Sequence, residues 1–297
     1  MLLTCNASSL KSLIKPPRGA KPKLALADLP AFVRTELELH GVNLSTDLLV
    51  GATRSDLTAI RDRADKAGCA CLTLIEPDAL DLATESDKAR EAAIARGKRV
   101  IEAAHILGCS AAVVSLKDAK GEDVVEYAID SLRQLMGGAE KRDLNLLLAP
   151  TDGMTADPEA LTELVKKTGG FRVGTYPDLA VAAEANDPEA YLRRITPYAS
   201  ALRAGLFEFS VEKIEIPDEP GMDDEDDDEL LDDIDLGPTE IVTHTTYSLD
   251  PLIAAITAVG YDQTIGIEYR GKGDPVEGIR NARAALEDTL LRAQSAG

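Results

Sequence analysis

One pattern repeats eight times along this chain: a short unbroken apolar run, followed by a longer segment with apolar residues three and four apart. Unbroken apolar runs of this length fit parallel strands buried on both faces. The three-and-four spacing marks one face of a helix. The runs are LLTCN (2–6), GVNLST (41–46), CACLTLIEP (69–77), CSAAVVSLK (109–117), LNLLLAPTD (144–152), FRVGTYPD (171–178), SALRAGLFEF (200–209) and TIGIEYRG (264–271). Helices are predicted over 28–40, 54–68, 86–108, 121–138, 157–170, 187–199, 248–260 and 274–294. In the second of these, Leu57, Ile60, Ala64 and Ala67 share a face and Gly68 ends it. Asp157-Pro158 and Asp187-Pro188 open two others as cap and first helical residue.

Eight strand–helix units in 297 residues predict an α/β chain forming one (β/α)8 TIM barrel over residues 1–297. A doubly wound open sheet competes with it. That fold carries a glycine-rich phosphate loop after its first strand, and this chain has none there. Hydrophobic residues make up 44% of the chain and aromatic ones only 4%, with no Trp, so the core is built of Leu, Val, Ile and Ala.

The net charge of -20 argues against a nucleic-acid partner and against anionic membranes, since both need clustered Lys and Arg. The charge is concentrated: residues 218–235 hold 12 Asp and Glu and no Lys or Arg. A self-repelling run of this kind stays extended, so residues 211–241 are expected to form an acidic, flexible insertion after the seventh strand. It lacks the ligand spacing of an EF-hand loop. A docking segment for a basic protein, a flap over the barrel mouth and a tolerated solvated insertion are its three readings.

No apolar stretch approaches the roughly 20 residues of a membrane span. The opening MLLTCNASSLKSLIK has too short an apolar run for a signal peptide. The expectation is a soluble cytoplasmic protein. Cys5, Cys69, Cys71 and Cys109 sit on or beside apolar runs and read as reduced buried thiols, not a disulfide framework or a zinc site.

In a barrel of this kind chemistry is done at the C-terminal ends of the strands. The polar residues there are Asn6, Glu76, Ser115, Lys117, Thr151, Asp152, Tyr176, Asp178, Arg203, Glu268 and Arg270. Alternation puts Gly266, Glu268 and Arg270 on one face of the last strand, and Ala201, Arg203 and Gly205 on one face of the strand before it. A carboxylate at a buried strand end is costly unless paired. Arg203 on the adjacent strand is the expected partner of Glu268. Glu76, Lys117 and Arg270 form a secondary set, read either as base and anchors or as solvated loop-edge charges. His40 and His105 read as structural or solvated. His244, after the acidic segment, is the one histidine near the expected active face.

Several segments resemble the sugar phosphate isomerase/epimerase superfamily, the xylose isomerase-like TIM barrels. They are ELHGVNLST, RVIEAAHILGCSAAVV, VGTYPDLAVAA, RRITPYASALRAGLFEF and, most specifically, GYDQTIGIEYRGKGDPVEGI. The resemblance runs from Asp28 to about Leu290. It implies a divalent cation, Mn²⁺ or Mg²⁺, held by a Glu, an Asp, a His and a Glu at the ends of strands five to eight, and proton transfer on a small carbohydrate. Glu268 and Asp178 match two of those ligands. The other two positions fall on Ala149 and Arg203, and a nearby Lys position on Gly205. The resemblance therefore implies a sugar or sugar-phosphate isomerase or epimerase whose standard metal site is impaired, with Arg203 standing where the cation's charge would be. The alternative is a non-catalytic barrel that binds a small ligand or a protein partner. The superfamily's endonuclease branch needs several metal-binding histidines and a basic cleft, whereas this chain has three histidines and is strongly acidic.

Overall fold

The computed structural model describes residues 1–213 and 240–295. The strands are β1 (Leu2–Asn6), β2 (Gly41–Ser45), β3 (Ala70–Ile75), β4 (Ala111–Ser115), β5 (Asn145–Ala149), β6 (Val173–Thr175), β7 (Ala201–Leu206), β8 (Phe209–Lys213), β9 (Glu240–His244) and β10 (Thr264–Tyr269). Eight of them form one parallel sheet in the order β6-β5-β4-β3-β2-β1-β10-β7. Its two outer members meet. Parallel bridges join Thr175 to Ala199 and Asp178 to Arg203, and the Arg203 amide donates to the Pro177 carbonyl at 2.8 Å. The row thus curls into the TIM barrel that the alternation predicts.

Local sequence sets the helix ends. Thr53 and Asp56 form a reciprocal capping box on the helix Arg54–Ala67, which stops at Gly68 in the left-handed conformation that glycine tolerates. Asp157 and Asp187 accept the amides of Ala160 and Ala190, with Pro as the first residue of each helix.

The apolar residues divide into two layers. The larger lies between the strands and the surrounding helices. The smaller fills the barrel with Ala111, Val113, Leu147, Tyr176 and Ala201, with Ile75 and Ala149 packed against it. All four cysteines are buried and free. Burial pushes the Cys69 thiol up to about 11 and the Cys71 thiol up to about 12, so both stay protonated and unreactive near neutrality.

Several elements lie outside the eightfold reading, among them a short helix and a hairpin. A short helix, Leu179–Ala183, starts directly at Asp178. The strands β8 and β9 pair antiparallel, with Phe209 opposite His244 and Lys213 opposite Glu240. The ends of the expected insertion, residues 211–213 and 240–241, are therefore hairpin strand. Its interior, 214–239, lies outside the described residues. Among the described residues no helix is long and apolar enough to cross a membrane.

Candidate functional site

The last strand sets the site. β10 runs parallel to β7 with Gly266 opposite Arg203 and Glu268 opposite Gly205. A side chain at Gly266 would point into the barrel: its Cβ would meet Asn6 Oδ1 at 2.5 Å and Asn43 Nδ2 at 2.7 Å. Glu268, two residues on, points the same way. Its Oε1 accepts from Ser8 Oγ at 2.6 Å. Its Oε2 faces Arg270, whose Nε donates at 2.9 Å, and Arg203, whose Nε lies 3.3 Å away.

Asp178 comes to the same point from the opposite side. Its Oδ1 accepts the Ala180 amide at 3.0 Å, which starts the short helix and fixes the side chain. Its Oδ2 accepts from Arg203 Nε at 2.9 Å and from Arg270 Nη2 at 2.7 Å. Gly205 makes room for this, since a Cβ there would lie 2.5 Å from Arg270 Nη1. Beneath the cluster, the Arg203 guanidinium sits 5.8 Å from the centre of the Tyr176 ring, within cation–π range.

Two guanidiniums therefore neutralise two carboxylates in a nearly enclosed space. The Asp178 side chain is only 1% exposed and that of Glu268 13%. Burial alone would raise the Asp178 pKa. Arg203 and Arg270 outweigh that effect and hold its carboxyl below the usual range. Burial would lower the pKa of Arg203 and Arg270, but the carboxylates prevail, so both remain charged.

The secondary set scatters. Arg270 belongs at the centre of the cluster, as close to both carboxylates as Arg203. Glu76 turns away from the barrel: Ile75 before it packs on the inner layer, so Glu76 faces the helices. There its Oε2 meets Arg96 Nη2 at 2.6 Å and Thr46 Oγ1 at 3.1 Å. It is buried, not a solvated loop-edge charge. Lys117 is exposed and pairs with Asp81. Thr151 bonds the Leu116 carbonyl, and Asp152 is exposed.

His40 and His105 are exposed. His244 is buried with both ring nitrogens engaged: Nε2 accepts from the Phe207 amide and Nδ1 donates to the Tyr247 carbonyl. Burial lowers its pKa, which keeps it neutral. It pins the hairpin to β7 and has no free nitrogen for a substrate. Ser8 is the site residue that the sequence reading missed. Its position in the 3-10 turn Ala7–Leu10 directly after β1, on the face where barrel sites form, is the signal that would have found it.

Against that geometry, a family description matches residues 36–289: xylose isomerase-like TIM barrel. The chain belongs to the xylose isomerase-like TIM barrel family. It is similar to L-ribulose 3-epimerase at 14% identity and a TM-score of 0.72, over 100% of this chain and 97% of that one. It is similar to 3-keto-D-glucoside 4-epimerase YcjR from E. coli at 13% identity and a TM-score of 0.67, over 99% of each chain. The IolI protein, solved with a bound zinc atom, is 14% identical with a TM-score of 0.68, over 99% of each chain. At these identities the likeness to the solved structures is one of fold. No curated protein matches the chain. Within this xylose isomerase-like barrel, Ala149 brings only a methyl group to the end of β5. Among the described residues no three His, Cys, Asp or Glu side chains are grouped so as to hold a metal ion.

Proposed function

We propose that this barrel isomerises or epimerises a small carbohydrate at its mouth by proton transfer, with a guanidinium–carboxylate cluster in place of a divalent cation. The convergence of Asp178 and Glu268 on Arg203 and Arg270 carries the reading. A divalent cation of the Mg²⁺ or Ca²⁺ kind gathers six or more oxygens at roughly 2.0 to 2.6 Å. Here the two carboxylates at the family's ligand positions are taken by guanidinium donors, and the other two positions hold Ala149 and Arg203. This donor set does not fit a cation, and no step is assigned to one.

Glu268 is the base in this reading. Its Oε1 accepts only the Ser8 hydroxyl, while its Oε2 is held by the guanidiniums. Removing the proton from a carbon beside the sugar carbonyl moves the electron pair onto the carbonyl oxygen as an enediolate. The Nη1 groups of Arg203 and Arg270 make no hydrogen bond among the described residues and are the donors for that oxygen. Glu268 then returns the proton to the neighbouring carbon for isomerisation; epimerisation requires a second proton donor, such as water, on the opposite face of the same carbon.

The test is solvent exchange. Pentuloses and hexuloses incubated in D₂O with the protein and a chelator should gain deuterium beside the carbonyl, read by proton NMR. Glu268→Gln should abolish the exchange. Exchange that appears only when Mn²⁺ is added overturns the metal-free mechanism. Sugar binding without any exchange overturns the enzymatic reading in favour of a binding barrel.

A further inference from the structure

A cleft lies outside the barrel mouth. In a chain of net charge -20, residues 96–99 read Arg-Gly-Lys-Arg, three cations in four positions. They fall within the helix Asp87–Leu107. Gly97 faces the next helix, Val124–Glu140, where a Cβ would come within 2.8 Å of Leu135. Arg96 and Arg99, three residues apart, share another face and both line a cleft of about 350 Å³ against the helix Arg54–Ala67 and the loop after β2. That volume is at the small end of the range for ligand pockets, roughly 300 to 1,000 Å³.

The two arginines are held differently. Arg96 is fixed from behind: its Nη2 lies 2.6 Å from Glu76 Oε2, whose side chain is 1% exposed, and 3.0 Å from Thr46 Oγ1. Arg99 has no carboxylate partner among the described residues, whereas nearby Arg54 pairs with Glu102. Like charges three apart on a helix repel each other. The cleft therefore presents one preorganised guanidinium and one uncompensated guanidinium side by side.

Apart from Thr46, the rest of the cleft is apolar. Leu49, Val50, Leu57 and Val100 line it, and Val50 is 76% exposed, on a turn where Gly51 takes a φ of 86°. A ligand body lying there would cover Val50. We infer that this cleft binds a small amphiphilic anion, a carboxylate or phosphate head on a short apolar body. The head meets Arg96 and Arg99, and the body lies against Val50 and Leu57. The inference does not rest on the reading of the barrel mouth.

Titration of the full chain with octanoate and with hexyl phosphate, followed by amide NMR, tests it and identifies the head group. At least one anion should give saturable shifts centred on Val50, Gly51 and Ala103, while hexylammonium should give none. Arg99→Gln should weaken binding about tenfold, the size of one lost charge-assisted hydrogen bond. Val50→Asp should abolish it. Both positions are exposed, so neither substitution threatens the fold. The inference is overturned if neither anion shifts these amides, or if Arg99→Gln leaves the affinity unchanged. It is also overturned if inorganic phosphate binds as tightly as hexyl phosphate, because the apolar wall then contributes nothing.

Discussion

Glu268 and Glu76 are both glutamates at the C-terminal ends of barrel strands, both well shielded from water and both paired with arginine. They face opposite ways. Glu268 follows the inward phase of β10 and joins a four-residue cluster at the mouth. Glu76 comes one residue after an inward Ile75 and pairs with Arg96 on a helix outside the barrel. One residue of strand phase separates a candidate catalytic base from a strut between strand and helix. Pairing and burial alone do not distinguish the two.

The sharpest way to probe the contrast is to remove one charge from each side. Asp178→Asn should cost the most, about 3 to 5 kcal/mol by chemical denaturation, because it strips a carboxylate shared by two buried guanidiniums. The same variant should change the acid response. Asp178 has a depressed pKa when folded, so its stabilisation is in full force above the unfolded value of about 3.9. That stabilisation is lost as pH falls through the folded pKa. Denaturation midpoints should fall in this range for the parent and less steeply for Asp178→Asn; parallel curves would show that the cluster does not hold Asp178 ionised.

Gly266→Ala tests the inward phase directly. The added methyl has to displace the amides of Asn6 and Asn43, at an overpacking cost of about 2 kcal/mol. A neutral outcome would mean that Gly266 does not face the barrel interior. Glu76→Gln should cost less, about 1.5 kcal/mol, because Arg96 is 39% exposed and can turn to water. It should also leave sugar exchange at the mouth unchanged, whereas a loss matching that of Glu268→Gln would erase the contrast. Lys117→Ala removes an exposed pair and should stay within about 0.5 kcal/mol of the parent.

The barrel was legible because parallel strands buried on both faces and helices buried on one leave different periods in the sequence. The pairing of Arg203 with Glu268 was legible for the same reason: alternation along two adjacent strands fixes which side chains meet. Arg270 was grouped with Glu76 and Lys117 as a strand-end charge, although alternation along β10 already put it on the face of Glu268. The space it fills is left by the missing side chain of Gly205 on the neighbouring strand, a tertiary fact. Glu76 was listed at a strand end without its phase, so its pairing with a helix was not foreseen. The hairpin of β8 and β9 stayed hidden because Val211, Val242 and their neighbours lie half-exposed beside a long acidic run that dominates the local pattern.

That hairpin has a consequence for engineering. Its closing pair, Lys213 and Glu240, holds two distant points of the chain side by side, while His244 and Tyr247 tie its base to β7. The entropy of joining those points is already spent within the fold. At that pair a foreign segment would add only its own slowly growing loop-closure cost. This makes it a ready port for fusing a reporter or an affinity handle on the side of the molecule where the candidate site opens.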